Sequence, residues 1–250
     1  MRSFKMMAAL AAAVAMTAAG TATAAAAGGQ ESTLEAAFLA IVDPAPPSTI
    51  VARFTVPAVN CTSTSGIEDA TAQVGALPGA GRDRHADAGT GSGAMAIPGS
   101  VTARADVMGS CAGGSALYQA QALGAPLAMT VSPGDKVLLT ASFDPGTQRR
   151  TGTVDDLTTG VTLTRSHLDK GAFAPFSDFA GVQRVRRDPI PGFGTIRWSG
   201  VRINGAPVGT AQALFGFSLI ASIAHPRVLI RTSPLSKAGD AYTNTWVAGS

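Results

Sequence analysis

The chain has 250 residues, of which 46% are hydrophobic and 14% charged, and its formal net charge is +3. Two of its 19 basic residues, Arg2 and Lys5, lie in a predicted targeting segment, which leaves 17 basic residues against 16 acidic ones. This near-neutral balance argues against nucleic acid or an anionic membrane as a partner. No Lys-rich run or RNA-binding aromatic motif is present either.

The first 24 residues are predicted to be a cleaved secretory signal peptide. A positively charged start precedes an uncharged Ala/Met/Val-rich run over residues 6–17, and residues 22–24 (Ala-Thr-Ala) form a small-x-small cleavage site. The alternative is a membrane anchor, but a transmembrane helix needs about 20 strongly apolar residues. We therefore expect a secreted, extracellular protein with no membrane association after cleavage.

The mature chain of about 220 residues suits one domain, because all-β sandwiches often reach that length. It contains two cysteines, Cys61 and Cys111. In an exported protein such a pair favours a disulfide, and two thiols without supporting histidines make a poor zinc site. The bond would contribute on the order of 3–4 kcal/mol. We expect a monomer without metal or cofactor.

In chain order, residues 25–48 are predicted to be a linker-like N-terminal extension. Within it, residues 34–41 could form two helical turns, ended by the prolines at 44, 46 and 47. The main domain is predicted to span residues 49–250 and to begin with a strand at 50–56. Residues 75–100 are rich in glycine and bury little apolar area, so they are predicted to form a mobile surface insertion.

The rest of the chain shows short strands separated by turn residues, which is typical of a β-sandwich or barrel. Turns are predicted at residues 132–135 (Ser-Pro-Gly-Asp), 144–146 (Asp-Pro-Gly) and 204–205 (Asn-Gly). The predicted strands are residues 101–107, 115–121, 127–131, 136–143, 151–154, 161–166, 182–187, 194–203, 228–232 and 241–247. The sequence therefore predicts an all-β fold.

A set of short motifs also follows the order found in one known family. The motifs are Phe-Thr-Val-Pro at 54–57 (family W-T-V-P), Gly-Ile-Glu-Asp at 66–69 (G-I-D-G), residues 101–111 (V-E-Q-x-G, then Cys), Tyr-Gln-Ala at 118–120 (Y-Y-A-W), residues 131–137 (V-x-P-G-D-x-I), residues 182–189 (A-E-W-I-V-E-R-P), Phe-Gly at 193–194 and residues 232–247. The chain resembles the eqolisins, the secreted glutamic peptidases, and especially their bacterial branch.

This resemblance implies a concanavalin A-like, jelly-roll β-sandwich of two bent antiparallel sheets with a cleft on the concave face. It also implies a Cys61–Cys111 disulfide. Eqolisins hydrolyse peptides at acid pH with a Gln–Glu pair. The glutamate activates a water as general base, and the glutamine amide holds the water and the developing oxyanion.

Both catalytic positions of the family are replaced in this chain. The glutamate position is Arg187 and the glutamine position is Arg104. Arginine stays protonated and cannot act as a general base. The sequence has glutamate only at positions 31, 35 and 68, so no realignment of its second half restores the family's glutamate. Gln73, in a Gln-Val-Gly tripeptide, is a fallback for the family's glutamine.

The residues predicted to line the cleft are Arg104, Gln183, Arg187 and Tyr118. Strand alternation places Gln183 and Arg187 on one face, and the resemblance brings Arg104 from the neighbouring strand. Paired guanidiniums suit a carboxylate, a phosphate, a sulfate or an acidic sugar. The alternative is a solvated strand whose arginines pair with acids such as Asp178 or Asp188.

Three functions remain open at this point. The first is a binding or structural module without glutamic peptidase activity, whose cleft would bind an unidentified ligand of anionic or glycan type. The second is an acid endopeptidase or other hydrolase that uses non-family residues, for example Asp178 or Asp188 beside Gln183. The third is a cell-surface interaction domain. The acidic and His residues at 83, 85 and 87 fit a soluble loop better than a metal site, and no Gly-x-Ser-x-Gly motif accompanies His167 or His225.

Overall fold

A computed structural model describes residues 30–32, 35–41, 48–61, 67–78, 103–112, 114–123, 129–168, 175–184, 190–211, 213–222 and 227–247. The predicted signal peptide, Arg187, Asp188, His225 and residues 79–100 of the predicted insertion lie outside these ranges. In the described ranges, no helix has the length and apolar character needed to cross a membrane.

The described chain is almost entirely β-structure, with one short 3-10 turn at Val208–Thr210. The strands are β1 (Gln30–Ser32), β2 (Glu35–Ile41), β3 (Ser48–Thr55), β4 (Ile67–Pro78), β5 (Ala103–Ala112), β6 (Ser115–Ala122), β7 (Met129–Thr130), β8 (Lys136–Asp144), β9 (Arg149–Asp156), β10 (Val161–Leu168), β11 (Pro175–Arg184), β12 (Thr195–Ile203), β13 (Ala206–Pro207), β14 (Ala213–Ile220), β15 (Val228–Thr232) and β16 (Tyr242–Trp246).

The strands form one sheet in the order β10-β9-β8-β3-β12-β16-β15-β14-β2-β11-β4-β5-β6-β7, which folds into two layers. The first half of β12 pairs with β16 and its second half with β3. Within the second half the register shifts between Ser199 and Arg202, next to Gly200, whose φ of +57° few other residues adopt. Because β4 and β5 pack across β8 and β9, the fold is the predicted antiparallel β-sandwich.

The hydrophobic core lies between the two layers and is built from alternate residues of each strand. In β8, for example, Val137, Leu139 and Phe143 are buried while the residues between them are partly exposed. Four aromatic rings, Phe38, Tyr242, Trp198 and Phe54, form a continuous buried chain with centroid separations of 4.7, 6.0 and 4.9 Å. This chain of rings ties β2, β16, β12 and β3 together.

The N-terminal extension corrects one sequence prediction. Instead of two helical turns in a linker, Glu35–Ile41 is strand β2, which pairs with β11 on one side and β14 on the other. Residues 36–40 are all buried, so both faces of the strand are covered. A strand that is buried on both faces has a continuous apolar sequence without alternation. The hydrophobic pattern of such a short run therefore cannot distinguish a strand from a helix.

Two further differences concern the sheet. Residues 75–78 were predicted to open the Gly-rich insertion, but they are the last residues of β4 and pair with β5 or β11. Strand β14 was not predicted at all. Its residues are half-buried at most positions, so the alternation that marks a strand is weak there.

The Cys61–Cys111 disulfide is present, with a Cα–Cα distance of 5.4 Å. It joins the segment that follows β3 to the buried end of β5. The predicted pairing is thus confirmed, and the bond closes a sequence separation of 50 residues between the layers.

The Asn204-Gly205 turn between β12 and β13 is also confirmed, and it provides a local test of stability. Both residues have positive φ, 49° and 82°, as a two-residue hairpin turn of this type requires. We expect Gly205→Ala to lower the free energy of unfolding by about 1 kcal/mol, because a Cβ disfavours positive φ although no atom would touch it. Urea denaturation measures this, and Gly205→Asn should lose less; equal losses would contradict the backbone explanation.

Candidate functional site

The candidate site lies on the second layer, by which we mean the layer that contains β11, β4, β5 and β6, on the side turned away from the core. In β11, β4, β5 and β6 one set of alternate residues, including Val182, Val74, Val107 and Ala120, enters the core. The opposite set forms what we call the polar face, whose members are Thr71, Gln73, Arg104, Asp106, Gln121 and Gln183.

The sheet register places three polar side chains in one row across the polar face. Gln73 of β4 lies directly opposite Asp106 of β5, and Asp106 lies directly opposite Gln121 of β6. Directly opposed residues have Cβ atoms about 4.5–5.5 Å apart and point to the same side. The Asp106 carboxyl is therefore flanked by two amide side chains.

Gln73 is 1% exposed, and its amide is only half satisfied. Its Nε2 donates to Oε1 of Gln183 at 2.8 Å, whereas its Oε1 has no partner among the described residues. The residue opposite Gln73 on β11 is Gly181, which has no side chain, so the amide can turn across it toward Gln183. A buried acceptor without a donor costs stability, which is typical of functional positions.

Arg104 and Asp106 form an ion pair on the same face of β5, with Nε of Arg104 2.7 Å from Oδ2 of Asp106. The arginine side chain is 34% exposed and that of Asp106 is 2% exposed. Burial raises the pKa of Asp106 to about 6, and the Arg104 charge and hydrogen bond limit that rise. The carboxyl therefore changes charge under mildly acidic conditions.

The local sequence explains why these polar groups lie together. Residues 103–108 read Ala-Arg-Ala-Asp-Val-Met, so the residues at 103, 105 and 107 are apolar and alternate with Arg104, Asp106 and Met108. In a strand this alternation turns the apolar set toward the core and presents the arginine and the aspartate on the other face.

Of the predicted site residues, Arg104, Gln183 and the fallback Gln73 share the polar face, with Gln73 hydrogen-bonded to Gln183. Arg187 lies outside the described residues. Tyr118 is not with them: it belongs to the core-facing set of β6, and its hydroxyl oxygen accepts a hydrogen bond from the Val59 backbone N–H at 2.8 Å. There it borders an apolar pocket with Phe54, Val107 and Phe193, among others.

The suggested catalytic pairing of Asp178 with Gln183 is wrong. The two are five positions apart on β11 and so point to opposite faces. Asp178 is fully buried on the core side, where Oδ2 accepts a hydrogen bond from the Ser48 hydroxyl. Burial raises its pKa to about 6, with the Ser48 hydrogen bond opposing the rise. Its surroundings make it a structural group that no substrate can reach.

Sequence reasoning missed Asp106 and Gln121 as members of the site. The alternation around Arg104 was a usable signal for Asp106, because it predicts that residues 104 and 106 share a face. What the sequence could not supply is the register that sets Gln73 and Gln121 on either side of the carboxyl.

Two solved structures share the fold of this chain. SCP-B, a member of the eqolisin family, in a complex with the tripeptide Ala-Ile-His, has a TM-score of 0.61 at 14% identity, covering 86% of this chain and 98% of that one. Scytalido-glutamic peptidase with a peptide-based transition-state analog has a TM-score of 0.57 with the same identity and coverage. The chain has the eqolisin fold.

At 14% identity the likeness extends to the fold alone. No family model matches the sequence, and no curated protein matches it either. Within the eqolisin fold, the polar face of this chain combines two amides flanking one buried carboxyl with a partly exposed guanidinium. Such a set of groups can donate and accept hydrogen bonds and can hold an anion.

Proposed function

We propose that this chain is a secreted eqolisin-fold binding protein without glutamic peptidase activity, whose polar face holds a ligand of anionic or glycan type. The observation that carries the proposal is the row of Gln73, Asp106 and Gln121 with the guanidinium of Arg104 at its edge. Amide, carboxyl and guanidinium groups that converge on one face are the groups that recognise hydroxyls and oxyanions.

The absence of a glutamate after position 68 supports the loss of glutamic peptidase chemistry. The glutamate that the eqolisin resemblance requires falls at Arg187, and the corresponding glutamine falls at Arg104. A guanidinium cannot take a proton from water, so neither position supplies a base.

Secretion is supported by two independent features. The first 24 residues have the composition of a signal peptide. The Cys61–Cys111 disulfide also fits an oxidising compartment outside the cytosol.

A second candidate function, acid hydrolysis, is favoured by one observation. Asp106 has its pKa raised to about 6 and lies directly opposite the Gln73 amide, which is the combination of acid and hydrogen-bond donor that water activation needs. We rank it second because the Arg104 Nε already occupies Oδ2 and because Asp106 is almost fully buried.

The experiment that separates the two functions is cleavage of a denatured protein substrate across pH 2–7. We expect no cleavage by the wild-type chain, because the carboxyl of the polar face, that of Asp106, is buried and paired with Arg104. Activity appearing in the Arg104→Gln/Arg187→Glu double variant would support the assignment of the family's catalytic positions to Arg104 and Arg187.

The matched controls for this assay are Asp106→Asn and Asp240→Asn, the latter from a half-exposed pair with Arg202 on another part of the fold. Robust acid cleavage by the wild type that Asp106→Asn abolishes and Asp240→Asn preserves would overturn the binding proposal. It would establish the hydrolase.

A further inference from the structure

The geometry of the Arg104–Asp106 pair suggests which ligand the site binds and how pH regulates that binding, an inference that rests on the proposed binding function. We propose that this pair is a proton-linked carboxylate site, in which a ligand carboxylate binds the outer edge of the Arg104 guanidinium while Asp106 takes up one proton from solvent. The shared chemistry is a carboxylate, whether it belongs to an acidic sugar or to the C-terminus of a peptide.

The geometry of the guanidinium leaves room for a ligand. Nε of Arg104 contacts Asp106 Oδ2 at 2.7 Å, and among the described residues the Arg104 side chain makes no other ion pair or hydrogen bond. The two terminal nitrogens are left for a ligand, and a third of the side chain is exposed. A guanidinium can offer two parallel N–H donors to one carboxylate, which is its strongest mode of recognition.

The net charge of the Arg104–Asp106 pair depends on whether Asp106 is protonated. With Asp106 ionised, the pair is neutral and the buried carboxylate repels a second one. With Asp106 protonated, the net charge of the pair is +1. Because Asp106 is 2% exposed, water screens this change poorly. Burial holds the pKa of Asp106 at about 6, so the change falls between neutral and mildly acidic pH.

The groups that face Asp106 from the neighbouring strands determine whether another charge influences its titration. On β4 its neighbour is Gln73 and on β6 it is Gln121, and both are uncharged. On β5 the facing charge is Arg104. β8 and β9 pack against the core-facing side of β5, which is the side opposite Asp106, and charged residues that β9 turns to that core, such as Arg150, are therefore separated from Asp106 by the sheet. Among the described residues, Arg104 and Asp106 therefore set the charge of this site.

The proton that Asp106 takes up has a hydrogen-bond acceptor beside it. Gln73 Oε1 is buried and lacks a donor among the described residues, and it belongs to the side chain directly opposite Asp106. A protonated Asp106 is a donor, so the neutral carboxyl can satisfy this acceptor once Arg104 turns to a ligand. The polar row is thus suited to the protonated state as well as to the ionised one.

The test is calorimetric binding to the full chain at pH 5.0 and pH 7.5 with two carboxylate probes, trigalacturonate and N-acetyl-trialanine. Their neutral counterparts are galactotriose and N-acetyl-trialanine amide. A peptide α-carboxyl titrates at about 3.5, so it stays ionised at both values. We expect at least one carboxylate probe to bind about tenfold more tightly at pH 5.0 than at pH 7.5, and its neutral counterpart not to bind. Which probe binds identifies the source of the carboxylate.

The variants have distinct expected results. Arg104→Gln should abolish binding at both pH values, and Asp106→Asn should bind equally well at both, at the strength of the wild type at pH 5.0. Asp240→Asn, which removes the acid of the Arg202–Asp240 pair, should match the wild type. Should Asp106→Asn fail to fold, titrating the wild type at pH 6.0 in two buffers of different ionisation enthalpy measures proton uptake directly, with an expected value between zero and one.

Each opposite result overturns the inference. Carboxylate binding that is independent of pH, or binding that survives Arg104→Gln, would leave a binding protein without this site. Equal binding of the neutral counterparts would do the same. No binding by any of the four probes would also overturn the inference, while the question of peptidase activity is answered separately by the cleavage assay.

Discussion

Replacing Trp198 by alanine is expected to lower the free energy of unfolding by about 3–5 kcal/mol. Trp198 is almost fully buried and stacks between Phe54 and Tyr242, so its removal leaves a cavity where β12 passes between the layers. It also removes the indole N–H that donates to Asn244 Oδ1 at 2.6 Å, which leaves a buried acceptor short of a donor. Urea denaturation monitored by circular dichroism measures the loss.

The matched control is Leu157→Ala, because Leu157 is 51% exposed on the turn between β9 and β10. This change should alter stability by less than about 0.5 kcal/mol. A Trp198→Phe variant should fall between the two, since it keeps most of the ring packing and loses only the N–H donor. A loss below about 1 kcal/mol in Trp198→Ala would contradict the central place of the aromatic chain.

The protein is expected to be more stable at pH 4.5 than at pH 7.5. Burial raises the pKa of both Asp106 and Asp178 from 3.8 to about 6. Between about pH 4 and pH 6 the folded state keeps protons that the unfolded state has released, so the free energy of unfolding falls as pH rises through this interval. Each aspartate can account for up to about 3 kcal/mol.

Asp178→Asn tests this linkage, with the difference in unfolding free energy between pH 4.5 and pH 7.5 as the readout. The variant should lose the share of Asp178 in this pH interval, about 2 kcal/mol, and keep that of Asp106. Absolute stability is a poorer readout, because the amide adds a donor where Asp178 Oδ1 has no partner among the described residues.

Asp144→Asn is the contrasting control. Hydrogen bonds from the Thr147 hydroxyl and the Gly146 backbone lower the pKa of Asp144, so its contribution is lost as pH falls. Removing it should therefore slightly increase the gain on acidification. A wild-type chain that is less stable at pH 4.5 than at pH 7.5 would contradict the expectation for both buried aspartates.

Much of the fold could be predicted from the sequence, because most strands bury one face and therefore alternate apolar and polar residues. The alternation of Val137, Leu139 and Ala141 predicted β8, and Asn204-Gly205 predicted the hairpin turn between β12 and β13. The two strands that were not predicted, β2 and β14, are those whose two faces are buried to a similar degree. Residues 36–40 are all buried and the first six residues of β14 are all half-buried, so the burial of neither segment has a period of two.

Part of the site was predictable from the sequence, but two of its members, Asp106 and Gln121, and the register that pairs them were not. The sequence indicated Arg104, Gln183 and Gln73, and the structure places them on one face. It did not indicate Asp106, because a carboxyl becomes important only when burial and register give it neighbours. Tyr118 was taken for a cleft residue by motif position, although its place in β6 turns it toward the core.

The position of β2 in the sheet has a consequence for how the chain folds. Residues 35–41 are inserted between β11 and β14, so their partners lie about 140–180 positions later in the sequence. During synthesis this segment leaves the ribosome long before β11 or β14 has been translated. Pairings of this range close large loops, which makes folding slow and leaves two unpaired strand edges exposed in the meantime. Assembly of the second layer thus waits for the last quarter of the polypeptide, and an incomplete chain would be prone to aggregation.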